Sequence, residues 1–535
     1  LSYSTKQRIC KNKNEPLQGK PKDNGPHLRQ NKYSNFELHT RAAYLNNMTK
    51  DNFKIELEAD LNEQAAQLAE TPAAFRPELQ ALLANLQQIN FREKAAEYGL
   101  EADAKLTQKI VLVVVIRELR KQVEAQGAGL TSCNGLAYVY TGSYWHELPN
   151  DEIKAFLTAA AIALGMKPNE AQHFESQDNL YKQFIAAARL LQPQRPKDIV
   201  LINFQNGTLE IKNGVLKLRQ ARRADFLKYQ LPYNYDPGAS CPLFNQYLNR
   251  VLPDETAQAV LAEFVGNTLA PALNLQKALV LQGAGCNGKS VFCEIVTALL
   301  GRENVSSYTM ESLTKQDSRS RAQLENKLLN YSGENSLKLG VEAFKTLVRN
   351  EPIEARRLYG EAYTIENYAK LMFNCNILPR DIEQSEGFFR SFLIIPFRER
   401  IAEAERNPHL AASIIENELA GVFNWTLEGL QRLLKHQRYT DCEIARQELE
   451  TYRRESSSVL MFLEDCNILP AKDHKTKITL QKLYGEYGYY CQQNGERFKV
   501  NQRTFAKALR NDAGLQSGRE GAGTIFYCEY NPFKG

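Results

Sequence analysis

Several things are missing from this 535-residue chain, and each absence removes a class of protein. The longest unbroken apolar run, Ile110 to Ile116, is far short of the ~20 residues that cross a bilayer, so no membrane span is expected. The ten cysteines never form a C-x-x-C pair, which removes zinc-ribbon and thioredoxin-like motifs. Unpatterned cysteines in a chain of this size suit a reducing cytoplasm better than a disulfide framework, and the opening residues lack a signal-peptide pattern. No internal repeat is visible. Composition is otherwise that of an ordinary globular chain, 43% hydrophobic and 24% charged.

Charge is uneven. Residues 1–47 carry nine Lys/Arg against three Asp/Glu, a balance of +6, so the remainder sums to −1 against the overall +5. This arm is polar, dotted with Pro and Gly, and reads as disordered. Met48 stands just ahead of the first patterned segment, so translation from there would make the arm non-native, and global charge is weak evidence for nucleic acid.

Residues 48–130 read as a helical region, with Leu61, Leu68, Leu79, Leu83 and Leu86 at turn-like spacings. From 131 to 265 the pattern changes to an α/β accessory domain. Thr141-Gly142-Ser143 separates two aromatic strands, helices are expected over Asp151–Leu164 and Asn179–Leu191, and Asn206-Gly207 and Asn213-Gly214 are hairpin signals. The aromatics on these strands read as core rather than as base-stacking platforms.

The informative segment follows. Ala278-Leu-Val-Leu281 suits a strand buried on both faces. It leads into Gly283-Ala284-Gly285-Cys286-Asn287-Gly288-Lys289-Ser290, which satisfies G-x-x-x-x-G-K-[ST]. A helix ended by Gly301 comes next. In that order the glycines let backbone N–H groups wrap phosphates, Lys289 reaches the β- and γ-phosphates, and Ser290 holds Mg²⁺. ATP and Mg²⁺ are the expected ligands. No N-K-x-D motif follows, as a GTPase would need, and Tyr331-Ser-Gly-Glu-Asn335 is a poor match to an ABC signature. Polar residues do recur at predicted strand ends: Glu334, 45 residues after Lys289; Asn376, 42 further on; and Arg390, 14 beyond that. An acid to orient water, an amide to sense phosphate and an arginine to neutralise charge make a hydrolysis set.

With these motifs the chain resembles superfamily 3 helicases of the AAA+ class, in the phage and plasmid primase-helicase branch with its poxviral relatives. The resemblance rests on Tyr140-Thr-Gly-Ser-Tyr-Trp145, Ile202-Asn-Phe-Gln-Asn-Gly207, Tyr229-Gln-Leu-Pro-Tyr233, the glycine loop, Leu347-Val-Arg-Asn-Glu-Pro-Ile353, Asn376-Ile-Leu-Pro379 and Phe389-Arg390. It covers about 131–400 and implies an AAA+ core over 266–400, a helical lid over 401–446 and a winged helix over 447–535. It implies Lys289 and Ser290 on ATP·Mg²⁺, Glu334 as Walker B acid and metal-site residue, Asn376 as sensor, and Arg390 as a finger delivered to the next subunit of a hexameric ring. Relatives move 3′ to 5′ on single-stranded DNA, so single-stranded and forked DNA are the implied partners, in replication of a phage, plasmid or other mobile element. Gly333 stands where an acid often precedes the Walker B glutamate, and Ser391 where a second finger arginine is common. No paired acidic strand motif appears in 1–130, so the primase is expected to be a separate protein. DNA contacts are expected from Lys345, Arg356 and Arg357 near a hairpin. Further contacts are expected from Arg503, Lys507 and Arg510 on a helix from Gln502 to Asn511, capped by Asn501. The alternative from another class is an ATP-binding origin-recognition or loader scaffold that does not unwind.

Overall fold

The computed structural model describes residues 75–99, 101, 105–190, 196, 198–333, 339–358, 360–376, 378, 386–471, 475–494, 499–521 and 523–529. The arm 1–47, Leu61, Leu68 and Glu334 lie outside the described residues. Helices Pro77–Ala84, Phe91–Glu97 and Gln108–Ala125 come first. In the last of these, Leu112, Val115, Ile116, Leu119 and Val123 recur at three- and four-residue steps and are buried on one stripe. That stripe shares a core with an antiparallel sheet, β1 (Leu130–Cys133), β2 (Leu136–Tyr140) and β3 (Trp145–Leu148), and with helices Asn150–Ala163 and Phe174–Ala187. The core therefore runs across the boundary expected at 130.

A second antiparallel sheet follows: β4 (Ile199–Phe204), β5 (Gly207–Lys212) and β6 (Val215–Arg219). Its second turn is Asn213-Gly214, both residues at positive φ (52° and 78°), as a two-residue hairpin requires. Val200, Ile202, Phe204, Leu209 and Ile211 from this sheet pack with helices Glu255–Thr268 and Leu419–His436.

The same core includes one face of the central sheet. Its strands are β7 (Ala278–Gln282), β8 (Val305–Ser306) and β9 (Leu329–Ser332), then, after the hairpin β10 (Ile353–Arg356) and β11 (Ala362–Ile365), β12 (Lys370–Cys375) and β13 (Phe392–Pro396). All five are parallel, in the order β13-β7-β12-β9-β8. Leu279 and Leu281 of β7 face one core, Ala278 and Val280 the other, so the strand is buried on both sides. The C-terminal part packs helices Ser458–Asp465, Leu480–Gln493 and Gln502–Asn511 on a small antiparallel sheet. That sheet comprises β14 (Leu469–Pro470), β15 (Lys477–Thr479), β16 (Ser517–Glu520) and β17 (Gly523–Glu529). Asn501 caps the helix Gln502–Asn511 by accepting from Thr504 N–H at 2.9 Å. Among the described residues no helix is long and apolar enough to cross a membrane, and the nine cysteines are free.

Candidate functional site

The loop after β7 is shaped by residues that cannot be exchanged freely. A Cβ on Gly283 would lie 2.1 Å from Asn287 Nδ2 and 2.5 Å from the Phe397 carbonyl oxygen. Gly285, Cys286 and Gly288 take φ values of 97°, 52° and 87°, a region that favours glycine. Three contacts then fix the loop from outside: Asn287 Nδ2 donates to Phe397 O (2.9 Å), Ile401 N–H to Cys286 O (2.9 Å), and Tyr247 Oη to Gly288 O (2.8 Å).

Gly288 precedes the helix Lys289–Leu300, so Lys289 sits at a helix N-terminus. Its side chain is 4% exposed, and Nζ donates to Gly283 O at 2.7 Å and Asn287 Oδ1 at 2.9 Å. Both acceptors are neutral, and burial pushes the ammonium below the usual lysine range. A buried cation beside a helix N-terminus and a wrapped glycine loop favours a polyanion.

These residues open onto a cavity of about 880 Å³ at the C-terminal edge of the central sheet. Lys289 and Ser290 line it from the start of the loop helix, Gly333 from just past β9, Asn374 from β12, Asn376 from just past it, and Ile401 and Asn407 from the segment after β13. The structure therefore brings Asn376 together with Lys289 and Ser290. Beneath the cavity the Tyr331 hydroxyl is hydrogen-bonded to both Cys293 and Asn374, tying β9 and β12 to the loop helix. A Cβ on Gly333 would stand 3.3 Å from that hydroxyl, so an acid there would crowd Tyr331. Tyr247, Tyr331 and Asn374 were not legible as site residues, because they reach the loop only through tertiary packing. Asn287 was read as part of the loop, but its bond to Phe397 was not.

Arg390 lies elsewhere. Phe392 is in register with Ala278, the first residue of β7, while the loop follows Gln282 at its other end. Four strand steps, or ~13 Å, separate the two levels. Arg390 is exposed at this opposite edge, and Lys277 Nζ donates to its carbonyl at 2.7 Å.

The expected DNA-contacting residues are placed unevenly. Lys345 pairs with Glu342 at 2.6 Å. Arg356 is exposed, its Nε donating to Gly360 O at 2.9 Å, and Leu358 beside it is 64% exposed at the hairpin turn. Arg357 instead faces inward, 3.0 Å from Glu325 and 3.8 Å from Glu147 of β3, with its guanidinium over the Tyr363 ring. On the helix Gln502–Asn511, Arg503 and Lys507 are exposed. Arg510 turns back, donating to Ser517 Oγ at 3.0 Å and lying over the Phe526 ring.

A parallel sheet whose first strand feeds a glycine loop, a buried lysine and a helix defines a P-loop NTPase-like α/β protein. Residues 124–253 match the family described as D5 N terminal like, and residues 281–390 a family of unknown function, DUF5906. The helicase-named protein L207/L206 of Acanthamoeba polyphaga mimivirus is 24% identical over 215 residues, 37% of this chain. The match takes in only 22% of that relative's own length. Two apo structures of the NrS-1 C terminal region align at 14% identity with TM-scores of 0.42 and 0.44. They cover 76% and 77% of this chain, and 98% of each of those chains. The chain is thus similar in part to the D5 N terminal like family and in part to a viral protein named as a helicase.

Proposed function

We propose that the chain is an ATP-dependent DNA helicase, an AAA+ motor of superfamily 3 that moves 3′ to 5′ as a subunit of a hexameric ring. The observation that carries this reading is the cavity joining Lys289, Ser290 and Asn376, with Arg390 at the far edge of the sheet. A phosphate site whose arginine cannot reach it from the same chain calls for a neighbouring subunit.

The residues fit ATP·Mg²⁺, which supplies the phosphoanhydride and the metal. Lys289 neutralises the β- and γ-phosphate oxygens, and the N–H groups of Gly285 to Lys289 cradle them. The Ser290 hydroxyl and Glu334 would hold the metal, which would neutralise phosphate charge. Glu334 also orients the attacking water, Asn376 holds the γ-phosphate, and Arg390 of the next subunit meets the charge that develops as the bond breaks. Lys345, Arg356 and Arg357 are the candidate contacts with DNA around the hairpin, with Arg356 the exposed one. Arg503, Lys507 and Arg510 are the candidates on a C-terminal winged helix. A separate primase would supply primers. The mimivirus relative's name and the D5-like match support this reading.

One feature favours the scaffold alternative: Gly333 leaves the metal to Ser290, Glu334 and water. A forked-duplex unwinding assay separates the two. Unwinding that needs ATP and is lost in Lys289→Ala is expected; ATP binding with intact forks at every protein concentration would establish the scaffold instead.

A further inference from the structure

A second cavity, of about 420 Å³, lies at the N-terminal edge of the central sheet, remote from the glycine loop. Its walls are largely apolar, with Phe226, Leu269, Leu273, Leu328 and Tyr368 contributing, and among the described residues no carboxylate lines it. Three lysines border it. Lys228 donates to Asn326 Oδ1 at 2.9 Å and lies 4.8 Å from the Tyr138 ring centroid, and Lys327 donates to the Glu303 carbonyl.

Lys370 differs. It is the first residue of β12 and is partly buried, and among the described residues its ammonium has no hydrogen-bond or ion-pair partner. Burial alone pulls it down to about 8. Strand alternation puts Lys370, Met372 and Asn374 on one face. Met372 is buried in the core with Leu279 and Leu281, and Asn374 lines the nucleotide cavity. One strand face thus ends in a cavity at each side, ~13 Å apart.

An ammonium among apolar walls is costly unless an anion meets it. Packing does not require a lysine here, since methionine would fill the same volume. The neighbouring Asn350 and Asn367 amides offer hydrogen bonds to oxygens, and the walls suit a short hydrocarbon or aromatic body. We propose that this cavity binds a small organic anion, a carboxylate or phosphate ester with an apolar body, with Lys370 as its counter-ion. The proposal is independent of the helicase reading.

Calorimetry on the full chain tests it with three probes: hexanoate, phenyl phosphate and the uncharged hexanol. At least one anion should saturate the protein and bind about tenfold or more tightly than hexanol; which anion does so identifies the head group. Lys370→Met should lose about tenfold or more of that affinity, and Lys370→Arg should keep most of it. Should Lys370→Met not fold, acetylation of Lys370 in the unaltered chain, followed by mass spectrometry, decides: the bound anion slows it and hexanol does not. Neither anion saturating below about 10 mM, undiminished binding by Lys370→Met, or acetylation indifferent to the anions would each overturn the proposal.

Discussion

Gly283 shows how tightly the site is defined by single residues. Its missing Cβ is the space through which Asn287 reaches Phe397 and Lys289 reaches the Gly283 carbonyl. Gly283→Ala must displace either backbone or that network, so nucleotide affinity should fall about tenfold or more, measured with a fluorescent ATP analogue. Wild-type affinity with an unchanged melting temperature would mean the loop yields easily. Lys370 provides a test by pH. Its folded pKa lies below the ordinary lysine value, so between about pH 8 and 10.5 the unfolded chain binds more protons and stability rises with pH. The penalty is fully present below pH 8. Lys370→Met should therefore be stabilised by up to about 3 kcal/mol at pH 7, with the gain fading near pH 10.5. Urea titrations at both pH values check this; a difference independent of pH would show the ammonium to be solvated.

Elements were the most legible scale. The strand at 278, the helix ended by Gly301, the Asn213-Gly214 turn and the helix from Gln502 to Asn511 can be read from periodicity, capping and turn chemistry, which are local. Partnership was not legible. Nothing near Arg357 in sequence announces Glu147 or Glu325, and nothing near Arg510 announces Phe526. Those neighbours separate basic residues held by other side chains, Arg357 and Arg510, from Arg356, Arg503 and Lys507, and the difference is testable. Reversing Arg503 and Lys507 to Glu should weaken duplex DNA binding and lower its salt slope by about one for each phosphate no longer neutralised, with basal ATPase retained. A slope equal to wild type would assign this helix to protein contacts. In the hairpin, Arg356→Ala should reduce DNA affinity without loss of stability, whereas Arg357→Ala should lower the melting temperature, since it leaves Glu325 without its ion pair. Equal melting temperatures for the two would contradict the difference in their surroundings.

At the scale of the whole molecule, the separation of Arg390 from its own glycine loop predicts complementation. Lys289→Ala and Arg390→Ala should each be nearly inactive, because a finger can be worth ~10³-fold in rate. Mixed under conditions of subunit exchange, they should recover part of the ATPase, since some interfaces pair an intact loop with an intact arginine. Co-assembled mixtures that stay dead, or a monomer with full DNA-stimulated ATPase, would sink the finger reading. The shared core has a consequence for descent by recombination. From Val200 to Ala445 one continuous set of buried side chains joins β4 and β5, the helices Glu255–Thr268 and Leu419–His436, and the central sheet. A crossover inside that span unites halves that never co-adapted, and the hybrid inherits mismatched interiors. Tyr452 still packs on Phe389 and Phe392 of the central sheet's other core, so only a crossover between the helix Glu443–Glu455 and Val459 cuts through no shared core. Natural shuffling and deliberate chimeras should therefore exchange the C-terminal part as a cassette, while 200–455 passes between lineages whole.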